Sequence, residues 1–75
     1  MEHPLRRTRV AAAVRAEIKK QGASRSEIAK AAEISDDTLR RRLKGERPFN
    51  LDEFAVICHM LRVPVAEMLD RAGVK

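Results

Sequence analysis

Residues 24–45, SRSEIAKAAEISDDTLRRRLKG, predict two short helices joined by a tight turn. Ser24 stands three residues before Glu27, the spacing at which a serine oxygen accepts the third helical N–H and the glutamate bonds back to the cap. A helix is therefore expected to begin at Arg25. Its buried face should be formed by Ile28, Ala29 and Ala32.

The second helix of this stretch is marked at both ends. Ser35 is another N-cap, and Asp36 and Asp37 follow it in the first turn, where the positive end of the helix dipole favours carboxylates. Gly45 ends the helix because glycine adopts positive φ without strain. The side chains divide into an apolar face with Leu39 and Leu43 and a polar face with Asp36, Asp37, Arg40, Arg41 and Lys44. Small domains present a helix to the major groove of DNA in this arrangement.

Composition and charge favour one small domain with a polyanionic partner. The chain has 75 residues, of which 44% are hydrophobic, and a net charge of +5. Residues 1–49 hold 13 basic and 7 acidic side chains, whereas residues 50–75 hold 3 and 4. The basic surface is therefore expected on the first three helices, where it favours nucleic acid as the partner.

Other classes of chemistry find little support. One cysteine and two distant histidines make neither a zinc site nor an internal disulfide. No serine has a nearby histidine base and no glycine cluster could cradle a phosphate, so we expect no enzyme activity, cofactor, metal or small-molecule ligand. No apolar run approaches the roughly 18 residues of a membrane span and no signal peptide is visible, which favours the cytosol.

Three further helices and no strand are predicted outside this stretch. Thr8 can cap the first helix, and Asn50 with Glu53 repeats the capping pattern for the fourth. Pro64 suits the first turn of the fifth. The expected ranges are residues 8–21, 51–61 and 65–72. The predicted fold class is thus all-α, a compact bundle of five helices.

The chain is expected to divide into three parts. Residues 1–7, MEHPLRR, should form a flexible basic arm, because Pro4 discourages helix before it. Residues 8–72 should form the helical domain, and residues 73–75 a short tail.

Apolar periodicity predicts the buried face of each added helix. The inward positions are Val10, Ala13, Val14 and Ile18, then Leu51, Phe54, Ala55, Ile57, Cys58 and Leu61, and finally Val65, Met68 and Leu69. His59 is expected at the surface, and Cys58 as a small core residue. Val56 and Met60 lie on the outer face of the fourth helix and, with Val74, could join a homodimer interface, although scattered exposed apolar residues are also normal.

From Val10 to Leu69 the sequence resembles the helix-turn-helix domain of the lambda-repressor/Cro-like (XRE) family. The matching motifs are SRSEIA at residues 24–29, Ile34-Ser35 at the turn, Thr38-Leu39 and Gly45 in the third helix, and Leu61-x-Val63 leading to Met68-Leu69. The blocks TLRRRLKGERPF and NLDEFAVICHMLRVPVAEML are similar to small phage and prophage regulators of high-GC bacteria. The resemblance implies that the second and third helices form the helix-turn-helix.

Three residues depart from the family pattern. Glu33 stands where the turn usually has glycine, Arg25 where many members have glutamine, and Leu43 where many have glutamate. Glu33 predicts either a left-handed residue, at a cost of about 1 kcal/mol, or another turn geometry.

The resemblance implies that the third helix, about residues 36–44, enters the major groove with its N-terminal half at the base edges. The residues so placed are Asp36, Asp37, Thr38, Arg40 and Arg41. Either arginine could bond guanine O6 and N7 with two N–H groups. The aspartates could accept from cytosine N4, or serve only as caps and ion-pair partners of the arginines.

Phosphate contacts are expected near helix ends and in the loop that follows. The candidates are Ser24, Arg25, Lys30, Lys44 and Arg47, each of which could equally be solvated. Arg6, Arg7 and Arg9 of the arm could reach around the duplex or into the minor groove, or remain free. Arg42 lies between the two faces of the third helix.

The main hypothesis is a sequence-specific regulator of transcription that binds double-stranded DNA, either a repressor or a Cro-like switch protein. The alternatives are a protein-interaction adaptor or antitoxin-like component, and a DNA-bending accessory factor in phage excision or integration. Charge reversal at Arg40 and Arg41 separates the DNA-binding readings from the adaptor, because an adaptor would hold its partner through other surfaces.

Overall fold

The computed structural model describes residues 6–73, and within that range the chain forms five α-helices and no strand. They are α1 (Arg6–Gln21), α2 (Arg25–Ala31), α3 (Asp36–Leu43), α4 (Leu51–Leu61) and α5 (Val65–Arg71). The predicted all-α class and five-helix bundle are therefore confirmed. Residues 1–5 of the predicted arm, and residues 74 and 75 of the predicted tail, which include the dimer candidate Val74, lie outside the described residues.

Side-chain caps start three of these helices at the predicted residues, but the bond predicted from the Glu27 side chain back to Ser24 is not among the cap bonds of α2. Ser24 Oγ accepts a hydrogen bond from the third N–H of α2 at 3.3 Å, and Ser35 Oγ accepts one from the Thr38 N–H at 3.0 Å. At α4 the bonds are reciprocal, because Asn50 Oδ1 accepts from the Glu53 N–H at 2.7 Å and Glu53 Oε1 accepts from the Asn50 N–H at 3.1 Å. These bonds satisfy backbone donors that have no partner inside the helix.

The turn between α2 and α3 is a Schellman motif with a glutamate at its left-handed position. The Glu33 N–H donates to the Lys30 carbonyl at 3.1 Å and the Ile34 N–H donates to the Ala29 carbonyl at 3.0 Å, the pair of bonds that defines this helix end. Glu33 has a φ of 60°. The first of the two predicted outcomes therefore holds, and the turn keeps its geometry at a cost of about 1 kcal/mol.

The first helix begins earlier than the sequence predicts. The expected cap Thr8 lies inside α1, and Arg6 and Arg7 are helical residues, so their assignment to a flexible arm is wrong. The reason is tertiary contact. Arg7 Nε donates to the Gly45 carbonyl at 3.0 Å and Arg9 Nη1 donates to a carbonyl beyond α5 at 3.4 Å, which holds the first turn of α1 against the bundle.

All five helices contribute to one core. Its fully buried side chains include Val14, Ile28, Leu39, Leu43, Ile57, Cys58, Leu61 and Met68. α3 packs against both α1 and α2, so its inner edge is fixed from two sides. This packing leaves the outer face of α3 without a covering helix.

Two predicted core positions on α4 are wrong. Leu51 is 79% exposed, because it is the first residue of α4 and only lines the rim of an apolar groove with Phe49 and Leu69. Ala55 is exposed, because it lies outside the face of α4 that Phe54, Ile57, Cys58 and Leu61 bury. Buried side chains that the sequence did not mark as inward are Ala11, Glu17, Glu53, Val63 and Ala72.

Candidate nucleic-acid interface

α3 has a buried edge and an open face. Leu39 and Leu43 are each 1% exposed and anchor the helix in the core. The exposed residues of the helix and its C-cap are Asp36, Asp37, Arg40, Arg41 and Lys44. Thr38, the remaining candidate for base contact, is half-buried. The residues predicted to face base edges are thus brought together on one short helix, mostly on its solvent side.

One carboxylate engages both arginines of the open face. Asp37 Oδ1 accepts a hydrogen bond from Arg40 Nη2, and Asp37 Oδ2 lies 3.1 Å from Arg41 Nε. The hydrogen bond from Arg40 and the charge of Arg41 hold the pKa of Asp37 below its ordinary value. The same hydrogen bond raises the pKa of Arg40. Asp37 and Arg40 are therefore both ionised at neutral pH.

The hydroxyl of Thr38 belongs to the cap of α3. Ser35 Oγ donates to Thr38 Oγ1 at 2.9 Å while accepting the Thr38 N–H at 3.0 Å. Because Thr38 Oγ1 accepts this bond, its own hydrogen can still be donated outward. Thr38 can therefore act as a hydrogen-bond donor to a base or phosphate without breaking the cap.

The five residues predicted to contact phosphates are exposed at the borders of α2 and α3. They are Ser24 and Arg25 at the start of α2, Lys30 in its last turn, Lys44 at the C-cap of α3 and Arg47 in the next loop. Four of them are cations, and Ser24 keeps its hydroxyl hydrogen for donation because its oxygen accepts the cap bond. In the sequence they lie before and after α3, as expected for residues that position a recognition helix by contacting phosphates.

Two arginines of α1 hold the C-terminal end of α3. Arg15 Nη1 donates to the Leu43 carbonyl, and Arg7 Nε donates to the Gly45 carbonyl. The last carbonyls of a helix have no internal partner and carry the negative end of its dipole, so cations stabilise them. Sequence reasoning missed this role because the bonds join residues 28 and 38 positions apart.

Arg42 pairs with a buried glutamate instead of facing solvent. Its Nε and Nη2 donate to Glu53 Oε1 and Oε2 at 3.0 and 3.4 Å, and the two side chains are 20% and 8% exposed. Burial alone would raise the pKa of Glu53, but the hydrogen bonds from Arg42 and the Asn50 N–H outweigh burial and lower it. The pair joins the last turn of α3 to the first turn of α4, which fixes the open face relative to the core.

The structure places Arg7 and Arg9 of the predicted arm at different sites. Arg7 contacts the turn after α3, whereas Arg9 contacts the chain beyond α5 and its Nε is buried without a hydrogen-bond partner among residues 6–73. Their contact with DNA stays a prediction. Arg25 lines a depression with two cations of α1, Arg15 and Lys19, which the sequence did not single out.

Cys58 and His59 match their predicted environments. Cys58 is 1% exposed, and burial raises the pKa of its thiol, while His59 is exposed. Within the described part of the chain, no group of three or more His, Cys, Asp or Glu side chains could hold a metal ion. None of the helices over residues 6–73 combines the length and apolar character needed to cross a membrane.

Comparison with known proteins gives a matching family and solved relatives. The family model of the helix-turn-helix domain matches residues 3–70. A crystal structure of the clp gene regulator ClgR from Corynebacterium glutamicum has a TM-score of 0.91 at 29% sequence identity, over 96% of this chain and 77% of that chain. A second crystal structure of ClgR from C. glutamicum has a TM-score of 0.86 at 30% identity, over 95% and 92% of the two chains. No curated protein matches the sequence.

Proposed function

The chain belongs to the helix-turn-helix domain family, and we propose from this premise that it is a regulator of transcription that binds double-stranded DNA sequence-specifically. In this proposal α3, about residues 36–44, lies in the major groove. The solved relatives are described as clp gene regulators, which supports a regulatory role. A DNA target would place its action in the cytosol.

The observation that carries this proposal is the open charged face of α3. The helix is anchored by Leu39 and Leu43 in the core and by Arg15 at its last carbonyl, and its outer side chains project away from that anchored side. A basic helix held in this way suits the width of the major groove and the acceptor-rich edges of guanine.

The exposed residues divide into two proposed roles. Arg41 and Arg40 are the candidates for paired hydrogen bonds to guanine, Asp36 and Thr38 are the other residues proposed to face base edges, and Asp37 either faces a base edge or serves as the ion-pair partner of the arginines. Arg25, Lys30, Lys44, Arg47 and Ser24 are proposed to contact phosphates. Four cations at about −0.9 each predict a log–log dependence of affinity on salt with a slope near −3.6 per chain.

Two further features belong to the proposal. The protein acts as a repressor by occupying its operator, and it does so as a homodimer whose two α3 helices lie about 34–36 Å apart. Met60, 37% exposed on α4, and half-buried Val56 are the proposed dimer contacts.

Met60→Glu should lower the sedimentation coefficient of the protein–DNA complex to the value for one chain per site. Leu51→Glu is the control at an equally apolar but separate position, and it should leave the sedimentation coefficient unchanged. The reverse result would place the interface at the start of α4.

The experiment that tests the main proposal is selection of bound fragments from random duplex DNA. We expect one enriched sequence, and Arg41→Ala should relax the base preference at one position per half-site by roughly tenfold or more. Arg47→Ala, the matched loss of one exposed arginine outside α3, should weaken all sequences alike. No enrichment, or identical behaviour of the two variants, contradicts the assigned recognition face.

A protein-interaction adaptor is the second candidate, favoured by the exposed Leu51 beside the apolar groove formed with Phe49 and Leu69. Reversing the charges of Arg40 and Arg41 together separates the two. The regulator loses DNA binding, whereas an adaptor that uses this groove keeps its protein partner.

A further inference from the structure

Asp37 stands at the centre of the proposed recognition surface, because its carboxylate meets both arginines assigned to the bases. The two contacts differ in kind. Arg40 is bound through Nη2, one of its terminal amino groups, whereas Arg41 is approached through the inner nitrogen Nε at 3.1 Å. All three side chains are about half exposed, so water and DNA can reach them.

This difference matters for contact with guanine, which takes two N–H groups of one guanidinium at O6 and N7. Arg41 keeps both terminal amino groups for a base while its Nε stays beside Asp37. In Arg40, one N–H of Nη2 is already bonded to Asp37, so fewer of its terminal N–H groups are open to a base than in Arg41. The free protein therefore already favours Arg41 as the reader.

We propose that Asp37 is a positioning residue that sets sequence specificity: it holds Arg41 by Nε so that the two terminal amino groups are presented to one guanine, and it does not contact a base itself. This inference rests on the proposed function and names the residue through which Arg41 acts.

Two physical effects follow from the placement of this carboxylate. An arginine that is already ordered loses less conformational freedom on binding, so the correct contact becomes tighter. A negative charge next to the groove also repels phosphates and base acceptors, so wrongly placed sequences bind less well. Asp37 therefore lowers the affinity for DNA in general while it raises the discrimination between sequences.

Asp36 provides a matched control. It carries the same charge, precedes Asp37 in the first turn of α3, and takes part in none of the ion pairs found among residues 6–73. Asp36→Ala and Asp37→Ala thus remove the same charge from the same helix end. Only Asp37→Ala releases the arginines.

The test measures dissociation constants by fluorescence anisotropy for the selected duplex, for a scrambled duplex and for duplexes with one base pair changed at a time. Wild type, Asp36→Ala, Asp37→Ala, Asp37→Glu and Arg41→Ala are compared at one salt concentration, with circular dichroism to check that each is folded. Both alanine variants at 36 and 37 should bind the scrambled duplex more tightly than wild type.

Asp37→Ala should lose roughly five- to tenfold of discrimination at the same base pair that Arg41→Ala relaxes, whereas Asp36→Ala should stay within about twofold of wild type. Asp37→Glu keeps the carboxylate and should recover much of the discrimination. The proposal is overturned if Asp37→Ala behaves like Asp36→Ala, or if it relaxes a different base pair from Arg41→Ala, which would mean that Asp37 reads its own base. A wild-type protein that selects no sequence would instead refute the proposed function.

Discussion

Replacing Gly45 by alanine tests how closely the turn after α3 packs on α1. Gly45 has a φ of 81°, and a Cβ there would lie 2.8 Å from Thr8 Cγ2 and 3.0 Å from Thr8 Cα. Positive φ costs an alanine about 1 kcal/mol. Forcing a methyl group against the backbone of α1 costs about 1–3 kcal/mol more. Gly45→Ala should therefore lower the free energy of unfolding by about 2–4 kcal/mol.

Gly22→Ala is the matched control, because Gly22 also has positive φ, 64°, but a Cβ there meets nothing within 4 Å. It should lose only about 1 kcal/mol. Urea unfolding followed by circular dichroism measures both, with unchanged m-values as the check for two-state behaviour. A domain of this size has about 4–11 kcal/mol of stability, so the variants remain measurable. Equal losses in the two variants would refute the close packing of this turn on α1.

Three further predictions concern stability. Glu33→Gly should stabilise the protein by about 0.5–1 kcal/mol in urea unfolding, since glycine takes the left-handed position without strain. Glu33→Ala should stabilise it much less, because alanine keeps a Cβ. A loss of stability in the glycine variant would show that Glu33 is not strained at this position. Glu53→Gln should lower the free energy of unfolding by about 2 kcal/mol, because it leaves the half-buried Arg42 without its charge partner. Glu67→Gln is the control, since its pair with Arg71 is exposed, and it should change the melting temperature little. Equal effects of the two substitutions would contradict a contribution from the buried pair. Glu17 and Glu53 have pKa values lowered below the ordinary value of 4.5, by hydrogen bonds from Gln21 and Arg71 at Glu17 and by those from Arg42 and Asn50 at Glu53, where they outweigh burial. The stability that these two carboxylates contribute is therefore present above their ordinary pKa and is lost as the pH falls through their lower pKa values in the folded state. The urea midpoint of unfolding should be constant from about pH 5 to 7 and should decrease at lower pH. The decrease should be less steep in the Glu17→Gln/Glu53→Gln double variant.

The sequence predicts α2, α3 and α4 well because their signals are local. A serine or asparagine cap and the residue three positions later decide where each helix begins, whatever the rest of the chain does. The sequence also predicts a left-handed Glu33, as one of two outcomes. Where cap, dipole and periodicity agree, local chemistry and tertiary packing give the same answer.

The errors lie where distant residues decide. The sequence predicts that α1 begins at Thr8, but Arg7 bonds to a carbonyl 38 residues away and the helix begins at Arg6. Apolar periodicity placed Leu51 inside, yet α4 leaves it at an uncovered end and buries Glu53 instead, through a pair with Arg42 eleven residues away. Pattern alone cannot reveal that a charged residue will find such a partner.

The sequence predicts which residues form the candidate site, but it does not predict the hydrogen bonds and ion pairs between them. The open face of α3 follows from its helical spacing. By contrast, the sharing of Asp37 between two arginines depends on which rotamers meet, and the support of α3 by Arg7 and Arg15 depends on how α1 packs. These connections determine which cations remain available to DNA.

Amide chemical-shift mapping by NMR, during titration with the selected duplex, shows whether the open face of α3 enters the DNA. We expect the largest shifts at residues 35–44, smaller ones at Arg25, Lys30 and Arg47, and little change across α5. Large shifts confined to α4 and α5, with residues 35–44 unmoved, would contradict it.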